Sequence, residues 1–189
     1  MPQFVHLHVH SQYSILDGQA SIQRLVDKAM ADGQPGIAIT DHGDMFGIKE
    51  FYNYVKKVKG KLKDKAVECE KRLAELREGT AEAAGGDASA EIAACERQLE
   101  ELHRKMAFKP IIGCEVYVAR RRLSDKEGKP DQSGYHLILL AKNLKGYHNL
   151  IKIVSKAWTE GFYMRPRTDR AEIEKYHEGL ICCSACLAG

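Results

Sequence analysis

Residues 4–18 read FVHLHVHSQYSILDG, and this stretch decides how the rest of the chain is read. Side chains two apart on an extended strand point to the same face. A strand over Phe4–Val9 therefore sets His6, His8 and His10 in one row, with Asp17 following just before Gly18. A buried row of neutral imidazoles without partners is unfavourable. A metal centre removes that cost, because each imidazole nitrogen can coordinate an ion. The competing reading is a surface strand carrying solvated histidines, and the residues downstream decide between the two.

Working outward, strand-like and helix-like segments alternate. Ser21–Ala31 predicts a helix, with Ser21 as N-cap, Gly33 past its end and a one-sided stripe of Ile22, Leu25, Val26, Ala29 and Met30. Gly36–Thr40 reads as a short buried strand and Gly47–Val58 as a second helix. Ile111–Ala119 and Tyr135–Ala141 read as strands joined by a polar loop containing Lys126, Gly128 and Pro130. A helix over Tyr147–Trp158 carries Leu150, Ile151, Val154, Ala157 and Trp158, and Asp169 with Glu172 forms a capping-box-like start to a short helix. Leu180–Ser184 is a last strand. This alternation predicts an α/β fold with a parallel sheet and helices outside, its ligands gathered at the C-terminal strand ends.

Residues 59–106 break the rhythm. They are rich in Lys, Glu, Arg and Ala, with glycines at Gly79 and in Gly85–Gly86–Asp87. Leu62, Ala66, Cys69, Leu73 and Leu76 repeat at heptad spacing, as do Ile92, Cys95, Leu99, Leu102 and Met106. Two matched stripes about a glycine-rich turn predict an antiparallel helical hairpin inserted into the domain. Residues 1–58 and 107–189 then form the domain proper. The hairpin's charges nearly cancel, which favours a solvated appendage over a DNA-binding arm.

Potential ligands recur where each strand should end: His8, His10 and Asp17, then Asp41 and His42 in TDHG, Glu115 in GCEVYV, His136 in YHLILLA, and Cys186 in CCSACLAG. A mixed His, Asp and Glu set suits zinc, manganese or iron(II), and a thiolate favours zinc at one position. Several such ions together suit phosphoester hydrolysis. The 189 residues carry 44% hydrophobic and 29% charged side chains and a net charge of +3, which bounds a single domain with an appendage and does not announce a nucleic-acid protein. No run reaches transmembrane length, so no membrane partner is expected. Six cysteines without a leading secretory segment suggest a reducing, cytoplasmic setting.

HLHVHS with its following DG, TDHG, GCEVYV, HLILLAKN, EGFYMRPR and GLICCSACLAG resemble the PHP (polymerase and histidinol phosphatase) domain. The stretch AKNLKGYHNLIKIVSKAWTEGFYMRPRTD narrows the resemblance to that domain in the catalytic α subunit of bacterial DNA polymerase III. The resemblance implies a distorted (β/α)7 barrel, here its N-terminal part only, and divalent metals, up to three in an intact domain. It implies metal ligation by His8, His10, Asp17, His42, Glu115, His136 and Cys186, with His8, His10, Asp17 and His42 at the centre of catalysis. The family's later Asp-x-His pair lies beyond this sequence, so the barrel is expected to be open and the isolated piece inactive. DNA and other polymerase III holoenzyme subunits are the implied partners, and an open sheet edge invites self-association.

His6 and Asp41 are expected to support the ligands from behind, although Asp41 can equally cap a turn. His103, His148 and His177 are read as ordinary surface residues, and Cys182 and Cys183 as core. Arg165 and Arg167, like Arg120–Arg122, are candidates for contact with phosphate. Three functions compete: a metal-dependent phosphoesterase acting as a 3′–5′ proofreading exonuclease, a metal-bound scaffold that stabilises a polymerase and docks a proofreading subunit, and a free-standing small-molecule phosphatase. The polymerase-like stretches argue against the third, and retention of the ligand set favours the first over the second.

Overall fold

Ser21 starts the first helix as its sequence predicts. In the computed structural model, which describes residues 4–15, 17–80, 87–132 and 134–189, its side chain accepts from the Arg24 N–H at the head of α1 (Ile22–Ala31). Gly33 (φ 72°) stands just past the end, in the left-handed region that glycine enters without a steric penalty. Ile22, Val26, Ala29 and Met30 are buried against the fully buried strand β1 (Gly36–Ile39) and Phe51, Val55 and Phe108.

The second helix does not stop at Val58. α2 (Ile48–Glu78) runs unbroken for 31 residues, well past Val58. No proline occurs over 59–65, and the lysines and leucine there are good helix formers that carry the helix through Gly60, whose cost is only about 1 kcal/mol. Gly79, at φ 66°, supplies the stop. α3 (Ala88–Met106), capped by Asp87, packs on α2 through Cys69, Leu73, Leu76 and Cys95, with Ile92 and Leu99 beside them. Arg77 of α2 meets Glu96 of α3 at 2.7 Å. The expected turn at Gly85–Gly86 lies outside the described residues.

The sheet is built on β2 (Lys109–Val118). One side of β2 pairs in parallel with β1, then makes a single bridge between Glu115 and His42, then pairs in parallel with β4 (Arg167–Thr168). It also pairs antiparallel with β3 (Tyr135–Ala141), and β3 pairs antiparallel with β5 (Leu180–Ser184). The expected parallel sheet is therefore a mixed one. Among the described residues only the five-residue α4 (Gly128–Gln132) lies between β2 and β3, with no crossover helix to carry the chain back and make them parallel. α5 (Leu144–Thr159), capped by Asn143, lies over β2 and β3, and α6 (Arg170–Tyr176) is capped by Asp169. The result is an open five-stranded α/β sheet.

Three further expectations are corrected. Residues 4–9 run beside β1 without forming a strand and make one bridge, His6 to Ile37. The Thr40 hydroxyl, which accepts from the Val9 N–H at 2.9 Å, takes the place of a ladder carbonyl there. On α5, Leu150, Ile153, Val154 and Ala157 are buried, whereas Ile151 and Trp158 are exposed. Cys182 is exposed and Cys183 half-buried, because β5 has no neighbour beyond β3 among the described residues. No helix among the described residues is long and apolar enough to cross a membrane.

Candidate metal centre

Glu115 is the hub of the site. Its side chain is only 1% exposed, and both of its oxygens are shared among four histidines from three separate segments. Oε2 lies 2.5 Å from His8 Nε2 and 3.3 Å from His10 Nε2. Oε1 lies 3.1 Å from His42 Nδ1 and 2.5 Å from His136 Nδ1. His8 and His10 come from the segment beside β1, His42 from the turn after β1, and His136 from the second residue of β3. Because β3 runs antiparallel to β2, its first residues reach the sheet end where β1 and β5 finish. That explains how a mixed sheet still gathers these groups at one end.

Asp17 extends the site outward, with Oδ2 2.8 Å from His42 Nε2. Cys186, exposed after β5, places Sγ 3.9 Å from His136 Nδ1. The structure thus brings the predicted ligand set into one neighbourhood. Asp41 takes the turn-capping role: its oxygens accept from the Ser11 N–H at 2.6 Å, the Ser11 hydroxyl at 2.8 Å and the Ser14 hydroxyl at 2.7 Å. His6 is exposed, its ring edge against Phe4.

Ser14 escaped the sequence reading. Its hydroxyl stands 3.0 Å from His10 Nδ1 and accepts from the His42 backbone N–H at 3.2 Å, so it orients the His10 ring and holds the backbone that carries His42. Its place four residues after His10 is the only signal, and loop serines commonly share it. Arg167 departs from its expected role. Wholly buried, its guanidinium donates to the carbonyls of Gly161, Asp131, Leu123 and Asp125, so it braces loops and is turned away from any phosphate. Arg165 is exposed and lies 4.8 Å over the Tyr117 ring.

The buried Glu115 carboxylate dominates the electrostatics of the site. Hydrogen bonds from its ring to the Glu115 and Asp17 carboxylates raise His42 to about 9 against the opposing effect of burial. Burial pushes the Glu115 carboxyl up, but the His10, His42 and His8 rings more than offset it and hold the group well below its ordinary value. Burial lowers His136, against the pull of Glu115. His8 Nε2 and His10 Nε2 stand 3.0 Å apart with a carboxylate oxygen between them. Two imidazole nitrogens and one carboxylate oxygen, all within 4.8 Å of one another, form a group that could hold a metal ion.

A mixed α/β sheet whose strand ends deliver HxH, DH, a strand glutamate and a strand histidine to one point defines a class. The chain belongs to the PHP domain family, whose sequence profile matches residues 6–189. Within that family it is similar to the DNA polymerase III subunit alpha of several bacteria. It is 38% identical to that of Borreliella burgdorferi over 188 residues, which is 99% of this chain and 12% of the relative. Identity is 41% over 187 residues with Treponema pallidum (98% of this chain, 12% of the relative) and 36% over 189 with Thermus aquaticus (98% and 12%). The chain therefore spans about an eighth of the length of these relatives.

Proposed function

We propose that this chain is the PHP portion of a replicative DNA polymerase α subunit, and that its centre hydrolyses phosphodiesters as a 3′–5′ proofreading exonuclease. The observation that carries this reading is the convergence of four histidines on the buried Glu115. His8, His10 and Glu115 would hold one divalent ion. His42 with Asp17, and His136 with Cys186, would complete further positions, up to three in all. Zinc, manganese and iron suit the donor set. Bound ions of this kind supply an activated water and neutralise charge on a phosphoryl group. The chain's own contribution is orientation: Ser14 fixes the His10 ring and the backbone at His42, and Glu115 fixes all four rings. DNA and the other polymerase III holoenzyme subunits are the partners in this reading, in a cytoplasmic setting.

A second reading has its own support. The centre ties together the segment before α1, the turn after β1, β2 and β3, as a structural metal would. In that role the domain would stabilise the polymerase and dock a separate proofreading subunit. We also read the outer part of α2 with α3 as an antiparallel hairpin appended to the domain, and the β5 edge as a place where copies of the chain can pair.

Metal quantification with a 3′-end nuclease assay separates the readings. Under the first, both this chain extended toward its relatives' length and the corresponding full polymerase subunit release nucleotides, and His10→Ala abolishes release. Bound metal in the wild-type full subunit without release of nucleotides supports the scaffold.

A further inference from the structure

Beside the metal centre lies a row of aromatic side chains that the centre does not use. Phe46 is 64% exposed, Trp158 41% and Phe162 46%, although all three are large and apolar. Trp158 and Phe162 stack with centroids 5.6 Å apart and planes 21° from parallel, and Phe46 stands 6.1 Å from Trp158 with its plane tilted by 39°. The Trp158 indole N–H donates to the Gly43 carbonyl at 2.8 Å. Gly43 directly follows His42, so the row is anchored to the backbone of the site itself.

Past Phe162 the chain makes a tight turn, in which the Tyr163 N–H donates to the Arg165 carbonyl at 3.0 Å. Met164 sits at its apex with φ 63°. This turn leaves Met164 68% exposed next to Phe162 and brings Arg165 over Tyr117, whose ring lies 5.0 Å from His136 and 6.1 Å from His42. Tyr117, Arg165 and His136 also line a cavity of about 300 Å³, together with Arg120, which lies 4.8 Å over the Tyr135 ring. Glu160, the acid nearest to Trp158 in sequence, is held by Lys156 at 3.5 Å.

The geometry points to a binding track for single-stranded DNA, in which unpaired bases stack on Phe46, Trp158 and Phe162 and the backbone phosphates meet Arg165 and Arg120 on the way to the metal centre. This inference rests on reading that centre as one that acts on phosphodiesters, and it names the form of the substrate. Exposed aromatic faces accept any base, because every base has a π-face, and the backbone needs only a few cations along the path. A paired duplex offers no free base faces to such a row. The arginines at one end and the direct link to His42 favour a strand ending at the centre over a protein that merely covers an apolar patch.

Trp158 is the chain's one tryptophan, so its emission reports on the row without labelling. We would titrate the intact chain with a short phosphorothioate oligothymidylate, which resists cleavage, and with a duplex of the same length. The single strand should quench Trp158 and the duplex should not. Neutralising two phosphates should weaken binding about sevenfold over a fourfold rise in salt. Phe162→Ser, and independently Phe46→Ser, should weaken binding roughly fivefold to a hundredfold. Equal quenching by the duplex would overturn the inference. So would emission that ignores both nucleic acids and shifts only with protein concentration, which would mean a second copy covers the row. Metal content and hydrolysis of bis(p-nitrophenyl) phosphate, measured on the corresponding full polymerase subunit, separate the two levels. Metal and hydrolysis without quenching remove the track alone, whereas quenching without hydrolysis removes the hydrolytic reading and supports the track.

Discussion

Glu115 meets His8 through Oε2 and His136 through Oε1, each at 2.5 Å, so one buried side chain joins the N-terminal segment to β3. Replacing Glu115 with glutamine keeps the volume and removes the charge. Metal affinity should fall by at least tenfold to a hundredfold, the cost seen when groups that orient metal ligands are lost. The thermal midpoint of the wild-type chain should rise with added zinc or manganese through preferential binding to the folded state, and that of Glu115→Gln should not. Calorimetric scans with and without metal check both outcomes.

Arg167 and Arg165 should separate cleanly. Arg167→Ala leaves several buried carbonyls without a donor, each costing about 1–3 kcal/mol. With three of these carbonyls buried, the melting temperature should drop by at least roughly 6–12 °C. Arg165→Ala removes an exposed side chain and should change stability by no more than about 0.5 kcal/mol. A melt of the two variants beside the wild type decides the matter.

Asp131 gives the acid limb of the stability curve a defined contributor. Its oxygens accept from Arg121 Nε at 3.1 Å and Nη2 at 2.5 Å, and from the Glu127 N–H at 2.9 Å. Arg121 first, then that N–H, holds the carboxyl below its ordinary value. A depressed folded value means that the stabilisation is complete above the unfolded value of about 3.9 and is lost as pH falls through the folded one. Asp131→Asn should therefore melt below the wild type near neutral pH, and the two curves should converge below about pH 4.

Met164 occupies the left-handed region, which costs a side chain with a Cβ roughly 1–2 kcal/mol. Met164→Gly relieves that strain and gives part of it back as extra freedom in the unfolded chain. The net effect should be a melting temperature about 1–4 °C higher. No rise in a differential scan would mean that the turn is not strained.

Shortening the insertion tests its independence. Replacing Lys61–Arg104 with a short linker should remove the Cys69, Leu73, Leu76 and Cys95 cluster and leave metal binding unchanged. Loss of metal in that variant would make the insertion part of the site.

Much of the site was legible because its chemistry is local in sequence. His8-x-His10, Asp41-His42 and Glu115 each sit at the end or middle of a short apolar run, and such runs are where ligands collect in α/β sheets. What stayed hidden depends on contacts between distant residues. The antiparallel course of β3 follows from how the chain returns after β2, which periodicity does not record. Arg165 and Arg167 look alike in RPR, yet one is exposed and the other buried. Only the carbonyls of Leu123, Asp125, Asp131 and Gly161 tell them apart. The helix passes Val58 because lysine-rich sequence continues a helix readily, and Gly60 alone is too weak a breaker to stop it.

The unbroken course of α2 has a consequence for how this domain can vary in length. Each residue added between Val58 and Ala66 turns everything beyond it by about 100° about the helix axis. One extra residue would swing Cys69, Leu73 and Leu76 away from α3 while leaving Ile48, Phe51 and Val55 seated in the core. Tolerated insertions and deletions in this part of the helix should therefore come in steps of about seven residues, two full turns, matched by an equal change in α3. The helix acts as a phase lock, and related chains with longer or shorter insertions should differ by whole heptads.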